Sequence, residues 1–222
     1  MVLTGGAGFL GRAIAAALAA RGVGPDHLTI PRSADCDLRR PAAAAELLAR
    51  TDPTVIIHAA ARSGGLQANR DHPAAFFHDN MAMAVSLIDA AARQRAATGS
   101  LHVLVFVGSM TSYPAAAPQP LREDDLSLGD PEPDVAAYGL AKRAALAMLR
   151  AYHREHGLPS AYVIPTNLYG PGDNIDDVRN AHVAGSLIKR FSDAARASTP
   201  EVVCWGTGSP TRQFLFIDDA AE

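Results

Sequence analysis

Val2-Leu3-Thr4-Gly5-Gly6-Ala7-Gly8-Phe9-Leu10-Gly11 decides the fold. Three strand-forming residues run into a glycine-rich turn. Residues 8–21 then read as a helix, with Leu10, Ile14, Ala17 and Leu18 at helical spacing and Gly22 as the stop. The turn satisfies G-x-G-x-x-G from Gly6 and G-x-x-G-x-x-G from Gly5. Glycines are needed there because a side chain would block backbone approach to a pyrophosphate, while the helix N-terminus offers N–H groups and partial positive charge to the anion. Between a strand and a helix, the pattern predicts dinucleotide binding at Gly5, Gly6, Gly8, Phe9, Leu10 and Gly11.

Outward from the turn, short apolar runs alternate with Ala-rich helical stretches. Residues 27–30, 55–57, 103–107 and 161–164 read as strands, and 41–50, 73–93 and 135–156 as helices. Val103 to Val107 is unbroken apolar sequence, as in a strand covered on both faces. Repeated β-α-β with right-handed crossovers predicts an α/β fold with a doubly wound parallel sheet. Residues 115–132, Pro-rich and acidic, read as a loop over the site. From Gly170 on, Gly, Pro, Asp and Asn thicken, predicting a small C-terminal lobe over 170–222 interleaved with the last elements of a domain over 1–169. Both ends read as cut: the chain starts inside the first strand, with no room for a signal peptide, and stops at Glu222 with the lobe incomplete.

At 222 residues the chain buries a sizeable core. The net charge of −3 and 20 scattered Lys and Arg, without a basic run, argue against nucleic acid. No apolar stretch approaches the roughly 18 residues of a membrane span. Cys36 and Cys204 show neither metal nor redox spacing, so no metal is expected and a reducing cytoplasm fits.

The second strand closes as Thr29-Ile30-Pro31-Arg32-Ser33, without the acidic residue that holds a ribose 2′-hydroxyl in NAD sites. Arg32 suits a 2′-phosphate and Ser33 adds a hydrogen bond, so NADP(H) is expected; the competing reading is a solvated loop arginine. Tyr138 and Lys142 lie four residues apart, on one face of the predicted helix. A lysine there holds the nicotinamide ribose and lowers the tyrosine's pKa, making the phenol a usable acid. Ser109, just past the 103–107 strand, sits at the carboxyl edge where doubly wound sheets place ligands. It reads as a hydrogen-bond partner for a substrate carbonyl, or alternatively as a turn or cap serine.

With these residues in hand, the chain resembles an extended short-chain dehydrogenase/reductase with a Rossmann domain. Further segments narrow the resemblance to the GDP-L-fucose synthase branch: Ala59-Ala60-Ala61-Arg62-Ser63-Gly64-Gly65-Leu66-Gln67-Ala68-Asn69, Gly108-Ser109 to Tyr113-Pro114, Pro165-Thr166-Asn167-Leu168-Tyr169-Gly170-Pro171-Gly172-Asp173-Asn174, Trp205-Gly206-Thr207-Gly208-Ser209-Pro210-Thr211-Arg212, and Phe214 to Asp219. The resemblance implies an NADPH-dependent epimerase-reductase on a nucleotide-linked 4-keto-6-deoxyhexose, GDP-4-keto-6-deoxymannose first among them. Tyr138 is then the proton donor to the C4 oxygen, assisted by Ser109 and Lys142, and His182 the acid-base residue of epimerisation, adjoining the cofactor. Arg190, Trp205 and Arg212 contact the nucleotide sugar, as do Ser109 and Asn167. Pro165, Asn167 and Leu168 line the nicotinamide, Asp37 and Leu38 lie near the adenine, and the backbone at Ala59, Ala60, Val107 and Gly108 follows the cofactor. Asn80 is structural. A homodimer through helices that include the one bearing Tyr138 is implied.

The family places a cysteine two residues after the serine; here Thr111 stands there. A hydroxyl has a far higher pKa than a thiol and makes a poor base near neutrality. Single epimerisation, or 4-ketoreduction alone on another nucleotide sugar, therefore stands as the alternative, and a non-catalytic NADP-binding sensor or scaffold as the alternative of another class.

Overall fold

The computed structural model describes residues 1–176, 181–204, 206–209 and 211–222. Four strands, β1 (Val2–Thr4), β2 (Val55–His58), β3 (Val103–Val107) and β4 (Ser160–Val163), form a parallel sheet in the order β1-β2-β3-β4. Helices α1 (Phe9–Ala20), α2 (Pro41–Thr51), α3 (Leu66–Asp71), α4 (Pro73–Thr98) and α5 (Ala136–His156) connect them. This is the expected Rossmann-like α/β architecture.

The second predicted strand shrinks to one bridge. Thr29 lies beside Val2, its carbonyl accepting from the Leu3 N–H at 2.9 Å and its own N–H donating to Met1. His27 belongs instead to a 3₁₀ turn, Pro25–His27. Prolines at 25 and 31 explain the shortening, since neither has an N–H for the ladder. Thr29 thus lies on one side of β1 and β2 on the other, so the connections part at β1, the kind of switch point at whose carboxyl end open α/β sheets bind ligands.

The core lies under α2, α4 and α5. Leu47 and Leu48 of α2, Leu87 and Ile88 of α4, and Leu149 of α5 pack on Val2, Ile56, Leu104 and Phe106 of the sheet. Its opposite face is covered unevenly. Leu3 is fully buried there, whereas Val163 at the far edge is 44% exposed. On β3, Leu104 and Phe106 are buried and Val103, Val105 and Val107 partly buried, so the strand is covered on both faces but more completely on the one under α2, α4 and α5. Helix α4 runs five residues past its predicted end, through Ala-rich sequence, to a left-handed cap at Gly99 (φ 71°).

A second, two-stranded parallel sheet pairs β5 (Asn167–Tyr169) with β6 (Phe214–Phe216). Between them lies α6 (Val183–Arg196), and after β6 the chain enters α7 (Ile217–Ala221), which packs on α1. No helix among the described residues is long and apolar enough to cross a membrane.

Candidate active site

The glycine turn is a cradle without room for side chains. Gly5 adopts φ 74°, and a Cβ there would stand 2.5 Å from the Ala60 nitrogen; one on Gly6 would stand 2.5 Å from the Ile30 side chain. A Cβ on Gly11 would run into the Gly5 carbonyl. The turn is thus pressed between Ile30 and the backbone of Ala59 and Ala60. Gly8 is the N-cap of α1 and, among the described residues, no side chain caps the helix, which leaves its end to an anion.

Ser109, Thr111, Tyr138 and Lys142 converge at the carboxyl end of β3. Ser109 is the cap that the sequence allowed. Its Oγ accepts from the Thr111 N–H at 3.2 Å, starting the 3₁₀ turn Met110–Ser112, and lies 2.8 Å from the Thr111 hydroxyl. The same serine hydroxyl lies near enough to the Tyr138 phenol to influence its ionisation. What brings α5 this close is Gly139, whose Cβ would strike the Thr111 carbonyl. Arg143 Nε fastens the same seam, donating to the Ser112 carbonyl at 2.7 Å. Neither residue was singled out in the sequence, although a glycine inside an Ala-rich helix, next to the candidate tyrosine, was the available signal.

Lys142 is 3% exposed, one turn after Tyr138. Its Nζ donates to the Val107 carbonyl at 2.8 Å and lies 5.1 Å from the Phe106 ring centre and 5.7 Å from that of Tyr138. Burial lowers its pKa to about 8. Below it, His58 is buried against Phe106 and shares a 2.8 Å hydrogen bond with Thr4. Burial, then the Lys142 charge, drives that imidazole down to about 3 and keeps it neutral. The expected lowering of the Tyr138 pKa is overturned in this state. Burial pushes the phenol up to about 12, and Ser109 opposes this only in part. The phenol therefore waits protonated, the form a proton donor needs.

The remaining candidate residues divide. Val107 and Gly108 lie beside the tetrad, with the Gly108 Cα against the Tyr162 ring. Arg32 is exposed past the Thr29 bridge, near the glycine turn through Ile30. Asp37 is gripped by Arg39 in a bidentate pair, both contacts 2.9 Å, which holds its pKa near about 2. Leu38 is 6% exposed and belongs to the core, so only its backbone is left to face an adenine. Asn80 clamps the loop after β2, accepting from the Arg62 N–H at 3.1 Å and donating to the Arg62 carbonyl at 3.0 Å. Pro165 and Leu168 are half-buried on either side of Thr166 and Asn167. The Asn167 amide donates to the Gln213 carbonyl at 2.9 Å, bracing β5 against the run into β6. The Thr166 hydroxyl is buried without a hydrogen-bond partner among the described residues.

His182 lies at the N-cap of α6, with Nδ1 3.6 Å from Oδ1 of Asp173. Among the described residues, no hydrogen bond joins it to Ser109, Thr111, Tyr138 or Lys142. Arg190 of α6, half-buried, donates to the Val203 carbonyl, and the exposed Arg212 donates to that of Thr211 at 2.8 Å. Trp205 lies outside the described residues. Sequence reasoning also passed over Arg12, which donates to the carbonyls of Ala7 at 2.9 Å and Gly172 at 2.8 Å, tying the glycine turn to the loop after β5.

Residues 1–222 match the NAD dependent epimerase/dehydratase family. The chain is 39% identical over 220 residues to a probable GDP-L-fucose synthase 1 of Oryza sativa subsp. japonica, covering 99% of this chain but only 65% of that relative. The structure of a GDP-L-fucose synthetase from Naegleria fowleri bound to NADP superposes with a TM-score of 0.84 at 30% identity, over 99% of this chain and 69% of the other. A GDP-mannoheptose C4 reductase from Campylobacter jejuni with NADP bound superposes equally well, TM-score 0.84 at 25% identity, over 99% and 71%.

Proposed function

The chain belongs to the NAD dependent epimerase/dehydratase family, and from that footing we propose that it is an NADPH-dependent epimerase-reductase of the GDP-L-fucose synthase type. Its substrate is a nucleotide-linked 4-keto-6-deoxyhexose, GDP-4-keto-6-deoxymannose first. One observation carries the reading: Ser109, Tyr138 and Lys142 converge at the carboxyl edge of the sheet, beside a glycine cradle that admits no side chain.

The residues present fit a dinucleotide. The cradle and the uncapped α1 would take the pyrophosphate, Arg32 the 2′-phosphate, and Lys142 the nicotinamide ribose; the orphan Thr166 hydroxyl is a donor waiting for an acceptor. When bound, NADPH supplies a hydride for C4 of the sugar. Tyr138, protonated in its buried setting, gives its proton to the C4 oxygen, and Ser109 holds that oxygen by hydrogen bond. Lys142 is a buried cation beside the phenol and favours the phenolate left by proton transfer. His182, with Thr111, exchanges protons at C3 and C5, which the C4 carbonyl acidifies. Arg190, Trp205 and Arg212 hold the nucleotide sugar, with residues 170–213 as part of the substrate lobe.

A second reading, 4-ketoreduction with one epimerisation or none, rests on Thr111. Its hydroxyl is engaged by Ser109 at 2.8 Å and is a weak base beside the thiol it replaces. The relative from Campylobacter jejuni, described as a C4 reductase, keeps this reading open for the same scaffold. We place the protein in the cytoplasm, since both cysteines are free thiols. It assembles as a homodimer through α4 and α5, on which Phe77, Val85 and Leu140 are exposed. Tyr138→Phe tests the central role. Loss of a general acid lowers turnover by a factor on the order of 10²–10⁴, with NADPH affinity nearly unchanged; near-normal turnover removes Tyr138 from the chemistry.

A further inference from the structure

We propose that Asp173 is the positioning residue for His182, fixing its imidazole so that Nδ1 carries the proton and Nε2 faces the sugar. This rests on the role given to His182 above. Asp173 lies in the loop between β5 and α6. Its side chain is 4% exposed, against 48% for that of His182. One carboxylate oxygen accepts the Asn174 N–H at 2.8 Å and stands 3.6 Å from His182 Nδ1; the other, Oδ2, is buried and has no hydrogen-bond partner among the described residues. A buried carboxylate oxygen left unpaired is costly, because it has given up water without gaining a donor. The protein has nevertheless made room for it, because the Gly185 Cα packs so close that a Cβ would lie 3.0 Å from Oδ2. His182 is the one titratable side chain in contact with this carboxylate among the described residues.

The distance is that of a hydrogen bond not yet closed. A half-exposed imidazole needs less than 1 Å of movement to bring Nδ1 to the roughly 2.8–3.0 Å of a charge-assisted bond. A carboxylate on Nδ1 selects the tautomer whose Nε2 lone pair is free and orients the ring, as oriented acid-base histidines require. The loop is held from behind by the Arg12 bond to Gly172 and by the Asp173 N–H bond to the Gly170 carbonyl at 3.3 Å, so Asp173 is fixed relative to the glycine turn. With Thr111 in place of a thiol, the exchange of ring protons falls on His182, and its orientation matters correspondingly more.

The test uses the full gene product in deuterated water with GDP-4-keto-6-deoxymannose and NADP⁺, so that protons exchange while no hydride moves. Asp173→Asn should slow deuterium entry at C3 and C5 by about tenfold or more, by analogy with the loss seen when the carboxylate partner of a metal-ligating histidine is removed, with NADPH affinity unchanged. In a His182→Gln background the same substitution should change the rate by less than about twofold, since coupled residues are not additive. A full Asp173→Asn effect in that background, or none in the wild type, overturns the proposal. His182→Gln exchanging at the wild-type rate overturns it through its premise, and that single variant identifies which has failed. The ¹⁵N resonances of His182, assigned by their loss in His182→Gln, give a readout independent of turnover and of any Asp173 variant. Neutral His182 should carry its proton on Nδ1; a proton on Nε2 refutes the positioning.

Discussion

Replacing Lys142 by Met removes a cation that folding takes out of water. Burial lowers its pKa from 10.5 to about 8. At about 1.4 kcal/mol per unit this charge costs roughly 3 kcal/mol of folding stability near pH 7. The sign follows from proton counting. Between pH 8 and 10.5 the unfolded chain binds the proton that the folded chain has lost, so stability from this group rises with pH across that window and its cost is fully present below it. Met fills a similar volume without the charge, although the Val107 carbonyl then loses its donor, a penalty on the order of 1–3 kcal/mol that does not depend on pH. The stability of the Met variant relative to wild type should therefore fall by about 2–3 kcal/mol between pH 7 and pH 10. Urea unfolding of both proteins at the two pH values, without cofactor, measures that difference. Parallel pH dependences would refute the argument, because they would mean that Lys142 titrates as a solvated lysine.

Gly139→Ala should destabilise the fold by roughly 1–3 kcal/mol through overpacking, because its Cβ meets the Thr111 carbonyl; thermal unfolding with turnover at a permissive temperature should show kcat falling with stability. Arg32→Ala should weaken NADPH by about tenfold or more, the worth of one charge-assisted contact, and leave NADH unchanged; equal loss for both cofactors would mean that Arg32 does not read the 2′-phosphate. Thr111→Cys should raise the fraction of product labelled by solvent deuterium at the ring carbons, because a thiol of pKa ≈ 8.5 exchanges protons near neutrality where a hydroxyl does not. Unchanged labelling would leave His182 as the sole exchanger.

Much of the site was legible because its signals are local. Gly5 to Gly11 encode a turn, and Tyr138 and Lys142 share a helix face by spacing alone. Ser109 follows from strand polarity, since the residue after an apolar run must emerge at the carboxyl edge. Other features depended on partners distant in sequence. The bridge at Thr29 is short because of prolines on both sides, which a β-branched pair at 29–30 concealed. Strands β5 and β6 have three residues each, too few to show alternation, and pair across more than forty residues. Arg12 reaches Gly172, 160 positions away, and Asp173 acquires meaning only beside α6. The direction of the Tyr138 pKa is illegible in the sequence for the same reason: nearby charge can be read from spacing, whereas burial arises from the packing of α5 on residues 110–112 and on Phe76.

The most direct test of the whole account is to mix the full gene product with NADPH and GDP-4-keto-6-deoxymannose in deuterated water, follow NADPH at 340 nm as it is consumed, and locate deuterium in the product. Stoichiometric NADPH oxidation is expected, with solvent label at C3, C5 or both; both marks double epimerisation, and one marks the restricted chemistry expected of Thr111. NADPH loss without label would leave the ketoreductase reading. Tight NADPH binding with no oxidation by this or any other nucleotide-linked 4-ketosugar would contradict the account.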